Sequence, residues 1–556
     1  MGVAGVLAPG TGLGTVIWSG TGGRFSPECV GLQPRRRSCQ TLHSIAAGVA
    51  RNHDARPRRQ HLNDTTDQLH AATAVAAHER VQRIFAAQQA AFSQHPCPTA
   101  DERREWLKSL KRQIQRYQDL LAHAMSQDFG HRADAESKML DLLGSVLEID
   151  HAVSHLRRWM KPSRRSTELL FLSNRVEVRY QPKGVVGVIV PWNFPVYLAV
   201  GPLTAALAAG NRVMIKMPEV TAATNAVLKR LLGEVFDENL VAVVGEELAE
   251  PDVFTSQPFN HIVFTGSPAV GRIVMRTAAA NLTPVTLELG GKSPAVVTRN
   301  YPITDAATRI THGKSTNAGQ ICVSPDYALV PRERVDDFVA GVRSTFQRFY
   351  GGRTDGNADY TGVVNARQWQ RMQTILDDAR AKGARIELCA PASKGEGRQM
   401  PLHIVTQLTQ DMRLMQEELF GPILPVVPYD TNDDAIAFIN AKPRPLALYC
   451  FSHNDAERDE LLRRTHSGGV AVNDWGWQVV NHDAPFGGIG NSGMGTYHGV
   501  EGFRELSHAR TVFQRQRFFP IDLFYPPYGS FVQRLVLKFY LRSADPALSH
   551  SNKETP

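Results

Sequence analysis

Apolar positions along the chain follow two periods in turn. From Ala76 onward, Val81, Ile84, Phe85 and Phe92 stand at helical spacing, and Leu107, Leu110, Ile114, Leu120 and Leu121 carry the period toward Trp159. The period then shortens. Residues 176–180 alternate like a half-exposed strand, and 184–190 is a β-branched run of the kind buried in parallel sheets. A βαβ rhythm follows: a strand ending at Val190, a helix through Pro202 to Ala209, a strand over 213–215 and a helix over 222–232. Strands over 240–244 and 261–264 and a helix over 270–279 complete it. This pattern predicts an open α/β sheet. Beyond Pro294 the alternation resumes, with a strand over 327–330 and a helix over 335–349, which predicts a second α/β domain. Residues 351–359 and 390–398 have the composition of surface loops.

The two ends depart from this pattern. The first seventy or so residues are rich in Gly, Arg, Ser, Thr and His without a sustained period. They read as a disordered extension, an organelle transit peptide, or sequence upstream of the true start. At the other end, 518–541 is aromatic and aliphatic, broken by Pro520, Pro526 and Pro527, with a helix expected over 531–541. That helix suits either packing on the body or a partner subunit, or a place on a membrane surface.

Composition narrows the class. With 556 residues, 42% hydrophobic and 21% charged, the chain is long enough for two to four globular domains. The net charge of +8 is concentrated at the start: eight Arg against Glu28 and Asp54 within the first sixty residues give +6, which leaves +2 for the rest. That distribution argues against nucleic-acid binding by the body. Six scattered cysteines without metal-ligand spacing fit a reducing compartment, and so a cytoplasmic location, and imply neither a zinc site nor a disulfide framework.

The candidate chemistry centres on Asn-Ala-Gly-Gln-Ile-Cys at 317–322. A cysteine reacts as its thiolate, so Cys322 needs activation. Gly319 allows close backbone approach, and Asn317 and Gln320 are expected to hold the cysteine open to a cleft. Leu-Glu-Leu-Gly-Gly-Lys-Ser-Pro at 287–294 sets the carboxylate of Glu288 between apolar residues, where desolvation raises its pKa as suits a general base. Pro191-Trp192-Asn193-Phe194-Pro195 follows a parallel strand, where such sheets bind ligands. Asn193 there is either an oxyanion donor or a turn-forming asparagine. Lys216 and Glu219 end the next strand as ribose ligands or as an exposed ion pair, and an acid there disfavours a 2′-phosphate. Phe264-Thr265-Gly266-Ser267, leading into a helix that contains Gly271, is either a pyrophosphate-binding turn or a plain one. Glu418 beside Phe420, and the glycine-rich stretch 485–490, complete the set.

Taken together and in this order over 76–513, these segments resemble the aldehyde dehydrogenase superfamily. Pro-Phe-Gly-Gly-Ile-Gly-Asn-Ser-Gly-Met-Gly-Thr-Tyr-His-Gly at 485–499 is similar to its class 3 branch, and to the bacterial coniferyl-aldehyde-dehydrogenase-like members within it. The resemblance implies NAD(P)-dependent oxidation of an aromatic or medium-chain aldehyde to the acid, with NAD as the expected cofactor, NADP as the alternative and no metal. Cys322 would be the nucleophile, Asn193 an oxyanion donor and Glu288 the base that activates water. The cofactor would be held by Trp192, Lys216, Glu219, Thr265, Gly266, Ser267, Gly271, Leu289, Glu418 and Phe420. The implied fold is α/β with two open, Rossmann-like domains and a small bridging element. The cofactor domain would span 76–174 and 185–290, the catalytic domain 291–480 and the bridge 175–184 and 481–515, with an extension over 1–75 and an apolar tail over 516–556. A homodimer is the class 3 expectation. The competing readings are a coenzyme A-acylating dehydrogenase, a catalytically silent binding protein on the same scaffold, and a cysteine hydrolase. Trp192, Phe194, Tyr197, Trp475 and Trp477 are candidates for an apolar substrate entrance, or for core.

Overall fold

A computed structural model describes residues 58–245, 248, 252–392, 398–519 and 521–542. The expected N-terminal extension lies outside the described residues as far as residue 57, but from Arg58 the chain is already helical, in a helix over Arg58–Gln94. Its first turns, Arg-Arg-Gln-His-Leu-Asn-Asp-Thr-Thr-Asp, lack the apolar period that marks a helix in sequence, and the alanines that favour one begin only at residue 71. Part of the 390–398 loop and the last residues of the C-terminal tail also lie outside the described residues.

Among the described residues the strands form three sheets. One has six strands in the order Gly493–Met494, Val285–Leu289, His261–Gly266, Val185–Ile189, Arg212–Lys216 and Val241–Val244. Its last five are parallel, and most of their positions are buried, which is why they read as β-branched runs without alternation. The second has seven strands in the order Arg385–Leu388, His403–Thr406, Ile423–Tyr429, Tyr327–Pro331, Pro294–Val297, Ala447–Phe451 and Gly469–Val472. It is parallel except at its first strand. The third is a small antiparallel sheet of Ser163–Arg165, Arg175–Pro182 and Ser507–Gln514. One strand differs from expectation. Gly493–Met494, expected in the bridging element, pairs antiparallel with Val285–Leu289, so that Gly493 lies opposite Glu288. The reason is steric: Gly493 has φ +144°, and a Cβ there would overlap the Leu287 carbonyl oxygen.

The order of the six-stranded sheet fixes where a ligand can enter. Val185–Ile189 has the next strand in sequence on one side and His261–Gly266 on the other, so the chain reverses its direction of winding between them. Loops leaving the carboxyl ends of two such strands diverge and leave a crevice. The loop after the first carries Pro191, Trp192 and Asn193, and the end of the second carries Thr265, Gly266 and Ser267. The base of this arrangement is tied by Asn211, which is fully buried. Its side-chain oxygen accepts from the N–H groups of Lys183 (2.8 Å) and Gly184 (3.0 Å), and its amide donates to Leu506 O (2.9 Å) and Ala206 O (3.3 Å). Asn211→Ala leaves buried donors and acceptors without partners, and is expected to cost about 1–3 kcal/mol, measured as a lower thermal midpoint.

Candidate active site

The cysteine stretch begins where the helix Ile303–Ser315 ends. Asn317 (φ 49°), Ala318 (φ 50°) and Gly319 (φ 71°) are successive left-handed residues, a conformation that costs L-residues energy unless the surroundings impose it. Here they do. Asn317 Nδ2 donates to Asn193 O (3.1 Å) and Gln320 O (3.2 Å), while Gln320 Nε2 donates to Asn317 O (2.9 Å) and Gly362 O (3.1 Å). Gln320 Oε1 accepts from Val364 N (3.0 Å). A Cβ at Gly319 would lie 2.6 Å from Gly421 O and 2.8 Å from Lys314 O. Asn317 and Gln320, expected to hold the cysteine open to a cleft, are instead fully buried and serve as internal ties, because their amides bond backbone groups of the loop and of residues 193, 362 and 364. The result is a rigid mount for Cys322, which is partly exposed.

Two cavities meet at that sulfur. One, of about 470 Å³, is bordered by Trp192, Asn193, Thr265, Gly266, Ser267, Glu288, Leu289, Arg371, Glu418 and Phe420. The other, of about 130 Å³, is almost wholly apolar and is bordered by Phe194, Tyr197, His312, Trp475, Trp477 and Val480. Cys322, Leu198, Phe486 and Tyr497 border both. Of the aromatic residues considered for an apolar entrance, Trp192 belongs on the polar side, where its ring meets Phe420 edge-to-face at 5.2 Å. The other four border the apolar cavity.

Three acidic groups share this space. Glu288 is buried, and neither oxygen has a well-formed hydrogen bond. Desolvation therefore raises its pKa well above the ordinary carboxylate value, and the nearby Gly488 N–H offsets this only in part. Glu418 is pushed up to about 8, first by desolvation and then by Asp326. The Cys322 thiol is pushed up to about 12 by burial, then by Glu418 and Glu288. In this state it is an uncharged thiol at neutral pH. Asn193 is buried, and its Nδ2 donates to Gln320 O (3.1 Å), which leaves one amide hydrogen for another acceptor.

The residues expected around a dinucleotide divide into two groups. Trp192, Thr265, Gly266, Ser267, Leu289, Glu418 and Phe420 border the polar cavity. Strand register brings Thr265 opposite Glu288 and Gly266 opposite Leu289. Ser267 caps the helix Pro268–Ala279 by accepting from Val270 N (3.4 Å), and Ser267, Pro268 and Ala269 present that positive helix end to the cavity. Lys216, Glu219 and Gly271 do not border it. Gly271 makes room for Leu289, since a Cβ there would come within 2.7 Å of that side chain. Lys216 is buried and donates to the exposed Glu219 at 2.5 Å. Burial works against the Glu219 charge, but the Lys216 ammonium outweighs it and holds the carboxyl below its ordinary value. A cavity with a helix N-terminus for phosphates, Glu418 for hydroxyls and the aromatic rings of Trp192 and Phe420 fits NAD(P).

Sequence reasoning passed over the groups that hold Glu418 in place. Lys292 pairs with Asp326 in the interior and donates to Leu414 O (2.8 Å) and Glu417 O (3.0 Å), while Asp326 accepts from Leu419 N (2.9 Å). Arg371 donates to Leu419 O (2.5 Å) and Glu418 O (3.3 Å) and borders the polar cavity. Lys292 sits inside the Gly-Gly-Lys-Ser-Pro segment, a signal that was available. Arg371 lies on an ordinary amphipathic helix, Ala366–Ala381, and carries none.

Known proteins resemble this chain in sequence and in fold. The family model described as aldehyde dehydrogenase family matches residues 51–512. A probable coniferyl aldehyde dehydrogenase of Pseudomonas aeruginosa is 49% identical over 83% of this chain and 97% of its own length. Among solved structures, the substrate-bound state of Staphylococcus aureus AldH has 34% identity and a TM-score of 0.78, covering 83% of this chain and 99% of that one. A Mycobacterium tuberculosis aldehyde dehydrogenase complexed with NAD+ has 28% identity and a TM-score of 0.72 over 79% of this chain and 91% of its own.

A thiol with its pKa near 12 reacts with alkylating agents only through a minute thiolate fraction. In the ligand-free protein, iodoacetamide should modify Cys322 more slowly than the exposed Cys97 at pH 7.5. Between pH 7 and 10 its rate should rise about tenfold per pH unit without a plateau, as followed by peptide mass spectrometry.

Proposed function

We propose Cys322 as the nucleophile of this chain, which belongs to the aldehyde dehydrogenase family and oxidises an aldehyde to its carboxylic acid with NAD(P)+ as hydride acceptor. The observation that carries the assignment is that Cys322 is the one thiol among the four residues bordering both an apolar cavity suited to an aldehyde and a polar cavity suited to a dinucleotide.

The roles of the other groups follow from charge. Attack on the carbonyl carbon needs the thiol proton removed, and the ionised Glu288 carboxylate, facing the same cavity without a partner, is the acceptor. The carbonyl oxygen becomes an oxyanion, for which the second hydrogen of Asn193 Nδ2 and the Cys322 N–H are the donors. Once Glu288 has passed the thiol proton on to solvent and oxidation has left a thioester on Cys322, the ionised Glu288 takes a proton from water. The hydroxide equivalent adds to the thioester carbon, and the thiolate leaves as the acid is released. A carboxylate placed to activate water disfavours coenzyme A as the acyl acceptor, so added coenzyme A should change neither rate nor product. An intact Cys322, Glu288 and Asn193 disfavour a silent scaffold.

Substrate and cofactor preference follow from the two cavities. Aromatic walls from Phe194, Trp475, Trp477 and Phe486 favour an aromatic aldehyde, and a coniferyl aldehyde dehydrogenase among the relatives supports that class. The exposed Glu219 carboxylate opposes a 2′-phosphate, which makes NAD the preferred cofactor and NADP the alternative, measured as the ratio of kcat/KM for each.

We assign the six-stranded sheet to the cofactor domain, the seven-stranded sheet to the catalytic domain and the small antiparallel sheet to the bridging element. The exposed face of Ser507–Gln514, with Phe513 half exposed, supports a homodimer joined through that bridge. Sedimentation velocity should give twice the chain mass; a species of one chain's mass alone would remove the dimer. No described helix is long and apolar enough to cross a membrane, and Cys97, Cys322, Cys389 and Cys450 are all free thiols. Free thiols support a cytoplasmic location, which cell fractionation tests, and bilayer contact by the Phe531–Leu541 helix is tested by vesicle flotation.

Asn193→Ala should lower kcat by roughly 10²–10³-fold. Glu288→Gln should lower steady-state turnover by roughly 10²–10⁴-fold. Because burial raises the Glu288 pKa and only the ionised form is a base, the hydrolytic step of the wild type should speed up with rising pH. The rise should come at higher pH than for an ordinary carboxylate, and Glu288→Gln should flatten it.

A further inference from the structure

The mouth of the apolar cavity holds one polar group whose hydrogen-bonding state is fixed by its neighbours. His312 lies in the last turn of the helix Ile303–Ser315, ten positions before Cys322, and borders the apolar cavity but not the polar one. Trp475 Nε1 donates to His312 Nδ1 at 2.9 Å. An indole N–H can only donate, so Nδ1 must be bare, and a neutral imidazole then carries its proton on Nε2. His312 borders the cavity and is exposed at its outer end, with part of its surroundings formed by protein atoms. Desolvation lowers its pKa below the ordinary histidine value, outweighing Asp474 and Glu136, which favours the neutral form.

The seat of the indole is built into the helix. A Cβ at Gly313 would lie 2.6 Å from the Trp475 ring and 2.9 Å from Pro325, so a glycine beside His312 is what lets Trp475 pack there, with its ring centroid 5.4 Å from that of His312. Other polar groups of the wall are engaged elsewhere. Thr316 Oγ1 donates to His312 O (2.8 Å), Tyr197 Oη lies 3.4 Å from His498 Nε2, and Tyr497, unlike His312, also borders the polar cavity. Beside His312 the mouth is formed by Trp477 and Val480, both largely exposed.

We propose that His312, oriented by Trp475, selects aromatic aldehydes that carry an oxygen acceptor on the ring at the end remote from the aldehyde carbon, by donating its Nε2–H to that oxygen. The proposal rests on the aldehyde-oxidising reading and narrows its substrate class. His312 is a specificity-determining residue, and Trp475 is the positioning residue that sets its tautomer.

The test compares kcat/KM for 4-hydroxy-3-methoxycinnamaldehyde and cinnamaldehyde in the wild type, His312→Phe, His312→Gln and Trp475→Phe. The wild type should favour the oxygenated substrate by about 3- to 10-fold, the worth of one neutral hydrogen bond. His312→Phe should bring the ratio close to one, with the loss falling on the oxygenated substrate. His312→Gln, which keeps a donor, should restore part of the preference, and Trp475→Phe should weaken it. A ratio unchanged in His312→Phe, or equal losses on both substrates, would overturn the proposal while leaving the oxidation reading intact. Failure of the wild type to oxidise either aldehyde would overturn both.

Discussion

Desolvation of like-charged groups is the constraint on which this site depends. Cys322, Glu288 and Glu418 can each carry a negative charge, and all three border one cavity with their ionisable groups desolvated by the surrounding protein. Ionising any one of them raises the cost of ionising the next. Desolvation raises the pKa of each, Glu418 and Glu288 raise that of Cys322 further, and the resting protein holds an uncharged thiol. A cationic ligand, or removal of a proton to Glu288, shifts that balance toward the thiolate. Reactivity is thereby tied to occupancy of the site.

Such an arrangement survives only where the surrounding backbone allows no escape. Glycines do this where a side chain would intrude. Gly487 and Gly488 close over Glu288, and Gly290 leaves space for the Glu418 carboxylate that a Cβ would fill. The left-handed run 317–319 is held by amides rather than by apolar packing, and the buried Lys292–Asp326 pair fixes the loop that carries Glu418. A buried ion pair of this kind adds little net stability. Its value here is positional, because it joins 292, 326 and 414–419 at one place.

Much of this was legible in the sequence, for definite reasons. Strands buried on both faces must be continuously apolar, so 185–189, 212–216 and 241–244 stood out, and the carboxyl ends of such strands pointed to Asn193, Lys216 and Thr265. What stayed hidden was set by contacts between distant positions. Gly493–Met494 is a strand because a glycine can approach Leu287, a fact no local period records. The helix over 58–75 lacks an amphipathic stripe. Nothing near Trp192 or Trp475 says that one faces a polar cavity and the other an apolar one. His312 read locally is only a cation at a helix end, and its tautomer appears only when Trp475 is placed beside it.

The central claim is that Cys322 carries the acyl group and Glu288 releases it. Its most direct test is intact-protein and peptide mass spectrometry of Glu288→Gln, which also lacks the acceptor of the thiol proton and is therefore quenched at intervals from seconds to hours after mixing with NAD+ and 4-hydroxy-3-methoxycinnamaldehyde. The account predicts a mass increase equal to the acyl group on the peptide containing Cys322, absent without NAD+ and absent in a Cys322→Ala, Glu288→Gln double variant. NADH formed in the first turnover with no adduct on Cys322, or with the adduct on another residue, would contradict it.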